Sequence, residues 1–246
     1  MGSEMCIRDS VKAGVADGGE GTVEAIVKAV GGDMYAASVT DPLGRPVKAA
    51  YGIVRSGGVK TAVMEMSAAS GLPLLLPDEL NPWITSTYGT GEMISDALNR
   101  GCRKFLVGIG GSATNDAGTG MLSALGVRFL DSRGQRLKGC GRDLESIARI
   151  DMSSLMPAAR ESEFIVACDV NTPFCGPDGA ARVFAPQKGA DPQTAEALDR
   201  GMRSFARVIA EQFQTDIVPL SGAGAAGGLG GAFKAFLNAR LTAGIE

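Results

Sequence analysis

Gly110, Gly111, Ser112, Thr114, Asn115, Asp116, Gly118 and Gly120 fall within one short segment, and these residue types in this order suit an anion. The segment follows the apolar run Phe105-Leu106-Val107 and leads into Met121-Leu122-Ser123-Ala124-Leu125, so it reads as a strand turning into a helix. Glycines strip such a turn of side chains and leave backbone N–H groups bare, and these together with the helix dipole favour a phosphate or carboxylate. Its short polar side chains suit a hydroxylated substrate or a metal. The segment lacks the Gly-Lys-Ser/Thr ending of a P-loop and is therefore no Walker motif. A tight turn capped by Asn115 or Asp116 is the purely structural alternative.

Other clusters carry chemistry too. Asp17-Gly18-Gly19-Glu20-Gly21-Thr22 sets two carboxylates on a glycine-rich loop before a helix, where they either bind a hydrated magnesium ion or cap that helix. Cys168-Asp169-Val170-Asn171-Thr172-Pro173 puts a carboxylate at the C-terminal end of a strand, the place where open α/β sheets bind ligands. Asp169 there either holds a metal, accepts a proton from a substrate hydroxyl, or simply forms a turn before Pro173. Lys188 in Pro186-Gln187-Lys188-Gly189 is a phosphate contact or a solvated lysine. Gly222-Ala223-Gly224-Ala225-Ala226-Gly227 matches the dinucleotide fingerprint, yet the acidic residue required about 20 positions on is only Glu246 and no second strand is expected. Close helix-on-sheet packing, or a second anion turn, accounts better for these glycines.

The elements that must position these groups follow from periodicity and punctuation. Segment 22–30 reads as a short helix closed by Gly31-Gly32. Runs 35–40, 47–54 and 61–66 read as an antiparallel meander whose first turn is Asp41-Pro42-Leu43-Gly44. A helix over 91–100 and a strand over 104–109 follow. Residues 127–130 with Asp131-Ser132-Arg133-Gly134 predict a second hairpin, and 164–170 a strand delivering Asp169 and Asn171. Leu198, Met202, Phe205, Ile209 and Phe213 recur at steps of three or four, marking an amphipathic helix over 195–213. Residues 217–220 read as a strand, and the chain is expected to stop inside or just after a final helix. The class is therefore α/β with a mixed sheet.

Composition narrows the function. The 246 residues carry a net charge of −3, which gives no reason to expect nucleic acid or an anionic membrane as a partner. No apolar run approaches the roughly 20 residues needed to span a bilayer. The five cysteines are scattered without CxxC pairs, as free thiols of a reducing cytoplasm would be. Histidine is absent, which removes Ser-His and Cys-His nucleophiles and leaves acid–base work to Asp, Glu, Lys, Cys or Tyr.

Taken in order, these clusters resemble the bacterial glycerate kinase family. The matching residues are Val15-Ala16-Asp17-Gly18-Gly19-Glu20-Gly21-Thr22, Val39-Thr40-Asp41-Pro42-Leu43-Gly44-Arg45-Pro46, Glu65-Met66-Ser67-Ala68-Ala69-Ser70-Gly71-Leu72 and Thr87-Tyr88-Gly89-Thr90-Gly91-Glu92. Segment 108–120, Ala167-Cys168-Asp169-Val170, Gly179-Ala180-Ala181, Pro186-Gln187-Lys188-Gly189-Ala190 and segment 222–228 complete the match. Family members begin with a strand and loop carrying an Asp-Ser-Phe-Lys-Gly-type motif, and end past a Gly-Glu-Gly-Arg loop, both missing here. Their second Asp is Asn171 in this chain. The resemblance implies the two-domain glycerate kinase fold, a flavodoxin-like domain with an inserted mixed α/β domain, the first domain truncated. On that basis residues 1–10 are a non-native leader, 11–35 and 217–246 remnants of the discontinuous domain, and 36–216 the inserted domain.

The implied reaction is transfer of the ATP γ-phosphoryl group to D-glycerate, giving 2-phosphoglycerate, in a cytoplasmic enzyme for which a homo-oligomer is one expected state and which as this fragment is expected to be inactive or impaired. Residue chemistry then assigns Asp169, Asp116 and Lys188 as catalytic groups, with Asp169 the base or hydroxyl orienter and Lys188 on the phosphates. Gly110, Gly111, Ser112, Asn115, Asn171 and Gln187 contact substrate. Gly18, Gly19, Gly222 and Gly224 contact ATP, and Asp17 and Glu20 face Mg2+. The alternatives are a nicotinamide-dependent oxidoreductase built on the 222–227 turn and a non-catalytic fragment.

Overall fold

The computed structural model describes residues 21–56 and 58–242. Helix α1 (Thr22–Val30) leads into strands β1 (Gly32–Thr40), β2 (Pro46–Ser56) and β3 (Val59–Glu65), which pair antiparallel as the sequence predicts. Asp41 makes the first turn tight: Gly44 N–H donates to its carbonyl at 3.0 Å, and Leu43 and Arg45 N–H donate to its carboxylate. The short helix α2 (Ser67–Ser70) and then α3 (Tyr88–Asn99) carry the chain to β4 (Lys104–Gly108), parallel to β3. Helix α4 (Thr119–Ala124), strands β5 (Arg128–Leu130) and β6 (Arg149–Asp151) and helix α5 (Pro157–Arg160) precede β7 (Glu163–Ala167), parallel to β4. Helices α6 (Ala180–Phe184), α7 (Pro192–Phe213) and α8 (Ala225–Leu237) then lead to β8 (Arg240–Thr242), parallel to β7.

The sheet order is β1-β2-β3-β4-β7-β8, so a mixed sheet with a parallel half runs through both sides of residues 35 and 216. Phe105, Val107, Phe164 and Val166 are buried on one face, where the Phe105 and Phe164 rings stack at 4.7 Å and Phe233 of α8 packs on Phe164. Burying each such ring removes enough apolar surface to contribute about 2–3 kcal/mol. The alternate face of β2, β3 and β4 offers Val54, Val63 and Leu106 to Val23, Ile26 and Val27 of α1. Helix α7 presents Leu198, Met202, Phe205 and Ile209 to the core, as their spacing predicts, and starts where Asp191 accepts the Thr194 N–H at 2.6 Å. Among the described residues no helix is long and apolar enough to cross a membrane.

Three local expectations are adjusted by the structure. Residues 217–220 form a turn rather than a strand, closed by Leu220 N–H on Ile217 O; Pro219 has no N–H for a ladder. The segment after the final helix adds an unexpected strand: Asn238 closes α8 in the left-handed region and β8 then joins the sheet edge, while residues 243–246 lie outside the described residues. The second hairpin is present but short: Asp131 N–H donates to Gln135 O and Leu137 N–H to Phe129 O around the Leu130–Arg136 bridge, and β5 finds its longer partner in β6.

Candidate active site

The parallel strands set the site. Glu65, Gly108, Ala167 and Thr242 stand in one cross-strand row at the C-terminal ends of β3, β4, β7 and β8. Beyond that row the glycine turn is pinned from three sides: Leu72 N–H donates to Gly111 O at 2.9 Å, Ala113 N–H to Ser70 O at 3.0 Å, and Ile109 N–H to Ala167 O at 3.4 Å. The amides of Gly110, Gly111 and Ser112 themselves reach no acceptor among the described residues. They line a cavity of about 300 Å³ whose walls also include Asp169, Gln187, Lys188 and Ala226.

Lys188 is the principal electrostatic feature. Its side chain is 1% exposed, and its Nζ donates to Ser112 Oγ and to Thr114 O, both at 2.7 Å. Both acceptors are neutral, and Lys188 belongs to no ion pair among the described residues. Burial pushes its pKa down to about 7, with Asp116 pulling weakly the other way. The neutral amine spends both of its N–H groups on these two oxygens, whereas the ammonium has a third donor and an uncompensated charge, so an anion in the cavity would favour the charged form. Asp169 lies just past the end of β7 and is exposed at the cavity rim, and Gln187 is exposed beside Lys188. The strand expected to reach residue 170 ends at Ala167, which leaves Asp169 on a loop rather than in the ladder.

Several predicted contacts are placed elsewhere. Asp116 is fully buried and off the cavity wall: Thr87 N–H (2.7 Å), Thr87 Oγ1–H (2.8 Å) and Gly120 N–H (3.2 Å) donate to Oδ2, and Gly118 N–H (3.1 Å) to Oδ1. Burial raises its carboxyl pKa, with the Thr87 amide first among the donors opposing that. Asp116 thus fixes the start of α4 and of α3, which begins one turn earlier than its spacing predicts. Asn115 is enclosed as well, its Nδ2 donating toward Met202 Sδ at 3.3 Å. Asn171 Oδ1 accepts the Ser221 Oγ–H at 2.8 Å, tying the Asp169 loop to the turn before α8 instead of facing substrate.

Gly222 and Gly224 are packing positions. A methyl on Gly222 would lie 3.1 Å from Cys168 Sγ, and one on Gly224 2.1 Å from Pro173 O. With no strand leading into this cluster, the strand–turn–helix context of a dinucleotide fingerprint is missing. Asp17, Gly18, Gly19 and Glu20 lie outside the described residues. Among those described, no three acidic or thiol groups cluster as a metal cage. Magnesium bound through phosphate oxygens needs only one or two carboxylates, and Asp169 supplies one at the cavity. Ala226, in the 222–227 cluster that the sequence offers as close packing or a second anion turn, joins the cavity wall.

The chain is thus a mixed α/β protein with a cavity at its strand ends lined by the Gly110–Ser112 turn and Lys188. The sequence pattern of the glycerate kinase family matches residues 3–246, and the chain belongs to that family. The glycerate kinase of Haemophilus influenzae is 47% identical over 97% of this chain and 62% of its own length. The glycerate 2-kinase of Escherichia coli is 47% identical over 96% of this chain and 61% of its own length. A crystal structure assigned to glycerate kinase 2 of Salmonella typhimurium LT2 superposes with a TM-score of 0.89 at 46% identity, covering 94% of this chain and 61% of that one. The chain thus spans about three-fifths of the relatives it matches.

Proposed function

We propose that this chain contributes the acceptor and phosphoryl site of an enzyme that transfers the ATP γ-phosphoryl group to D-glycerate, giving 2-phosphoglycerate. The observation that carries the reading is Lys188: a buried lysine in no ion pair among the described residues, at the wall of a cavity lined by three amides that reach no acceptor among those residues. Phosphoryl transfer asks mainly for positioning and for neutralisation of charge on the transferred group. The Gly110–Ser112 amides hold the glycerate carboxylate, Lys188 faces the phosphoryl oxygens, and Gln187 orients the hydroxyls. Asp169 takes the proton of the attacking hydroxyl; that oxygen bonds to the γ-phosphorus as the bond to the β-phosphate oxygen breaks and ADP leaves. Magnesium on the phosphate oxygens would supply charge neutralisation when bound. A cytoplasmic, homo-oligomeric enzyme using glycerate and ATP is the setting of this reading.

Phosphorus NMR tests it, on D-glycerate and Mg-ATP incubated with the chain extended by the flanking segments of the Escherichia coli relative. A 2-phosphoglycerate signal is expected; a well-folded protein giving none overturns the reading. Asp169→Asn in the same protein is expected to lower kcat about 10²–10⁴-fold, the usual worth of a positioned base. Turnover at the wild-type rate would remove Asp169 from the chemistry.

A further inference from the structure

Helix α8 opens abnormally. Ala226 (φ 51, ψ 42), Gly227 (φ 66, ψ 35) and Gly228 (φ 93, ψ 1) all lie in the left-handed region, one after another. An alanine there is uncommon and is held only where its surroundings impose it. They do so here. Gly227 O accepts the N–H of Ala117 at 2.9 Å, and Ala117 is itself left-handed at φ 51. A methyl on Gly227 would lie 2.2 Å from Thr114 O, the same carbonyl that accepts from Lys188 Nζ. The kink and the buried ammonium therefore meet on one peptide of the glycine turn.

Gly228 N–H returns to Gly224 O at 3.2 Å, but the amides of Ala226 and Gly227 reach no acceptor in the turn before the helix. Ala226 is part of the cavity wall that also holds Lys188. Successive backbone N–H groups where right-handed residues give way to left-handed ones make a concave anion receptor, and here the switch from right-handed to left-handed backbone comes at Ala226. The independent sign of an anion is Lys188, nine-tenths buried and more, bonded only to neutral oxygens and in no ion pair among the described residues.

We propose that the Ala226–Gly227 amides and Lys188 form a phosphoryl-binding nest, distinct from the Gly110–Ser112 turn that takes the carboxylate across the same cavity. This rests on the phosphotransferase reading, and it divides the cavity between the two anionic groups of the product. A carboxylate is planar and is served by successive amides of one turn. A phosphoryl group has three oxygens and needs donors from more than one side, which the kink and the ammonium together supply.

Inorganic phosphate and D-glycerate, titrated separately into the 15N-labelled chain, are the probes. Phosphate is expected to move the Ala226 and Gly227 amide protons downfield with one saturating Kd, while glycerate moves chiefly those of Gly110, Gly111 and Ser112. Replacing Ala226 by its α-hydroxy analogue, L-lactate, deletes that N–H and keeps the methyl. Phosphate affinity is expected to fall about 10–100-fold, the worth of a hydrogen bond to a charged group, with glycerate affinity within about threefold. Phosphate binding that leaves the Ala226 and Gly227 amides unmoved overturns the nest while glycerate binding upholds the kinase reading. Failure of the unmodified, folded chain to bind either probe overturns both. The titration of the unmodified chain decides the matter even if the ester variant does not fold.

Discussion

Lys188→Met is expected to lower kcat/KM for glycerate phosphorylation about 10²–10³-fold with the fold intact, measured by coupled ADP release in the flank-extended protein. Methionine fills a similar volume but carries no charge and no donor. The magnitude is that of removing one preorganised donor from a water-poor site. Because Nζ also donates to Ser112 Oγ and Thr114 O, the variant leaves two acceptors unserved. Ser112 can turn its hydroxyl, so the stability lost on that account is about 1–3 kcal/mol for the Thr114 carbonyl. An opposing gain depends on pH. The buried amine has its pKa lowered to about 7, whereas in the unfolded chain it titrates near 10.5. Between these values the unfolded chain holds a proton that the folded chain has released, so the lysine protein gains stability as pH rises, by at most about 1.4 kcal/mol per pH unit. The methionine protein lacks that rise. Urea unfolding at pH 6.5, 8 and 9.5 is expected to show the variant comparing best with wild type at the lowest pH and worst at the highest. Equal pH dependence in the two proteins would mean that Lys188 stays charged in the free cavity.

The pieces legible in the sequence are those whose causes are local. Leu198, Met202, Phe205 and Ile209 announce α7, and the Asp41 turn announces the β1–β2 hairpin, because each depends on residues a few positions away. The glycine turn is legible as a link from strand β4 to helix α4 for the same reason. Lys188 reads as an ordinary lysine until residues 76 and 74 positions upstream, Ser112 and Thr114, close over it. Asp116 looks like a ligand by type, yet Thr87, 29 positions away, claims its carboxylate. Asn171 is lost to Ser221 in the same manner. The left-handed Ala226 defies propensity altogether, since the fit to Thr114 and Ala117 imposes it from the tertiary structure. Residue chemistry without any of these contacts placed Asp116 and Lys188 in one class, although Asp116 is buried against Thr87 and Lys188 lines the cavity.

Asp116→Ala is expected to cost about 3–5 kcal/mol of unfolding free energy, a large share of the 5–15 kcal/mol typical of a domain. The carboxylate receives Thr87 N–H, Thr87 Oγ1–H, Gly118 N–H and Gly120 N–H in a place with no exposure. Deleting it strands those donors away from water, and each buried amide left without an acceptor costs about 1–3 kcal/mol. Thr87 softens the loss only slightly, because its Oγ1 already accepts the Met121 N–H at 2.9 Å and can rotate its proton but not reach the other amides. Urea unfolding followed by far-UV circular dichroism measures the change. A loss below about 1 kcal/mol would mean that water enters and replaces the carboxylate. The effect should extend to the site: Asp116 anchors the N-termini of α3 and α4, and the glycine turn runs directly into the second. With the anchor gone, the Gly110–Ser112 amides lose their fixed direction, and a preorganised anion receptor depends on that direction more than on any single side chain. Glycerate affinity is therefore expected to fall in Asp116→Ala even at low temperature, where the protein is still folded.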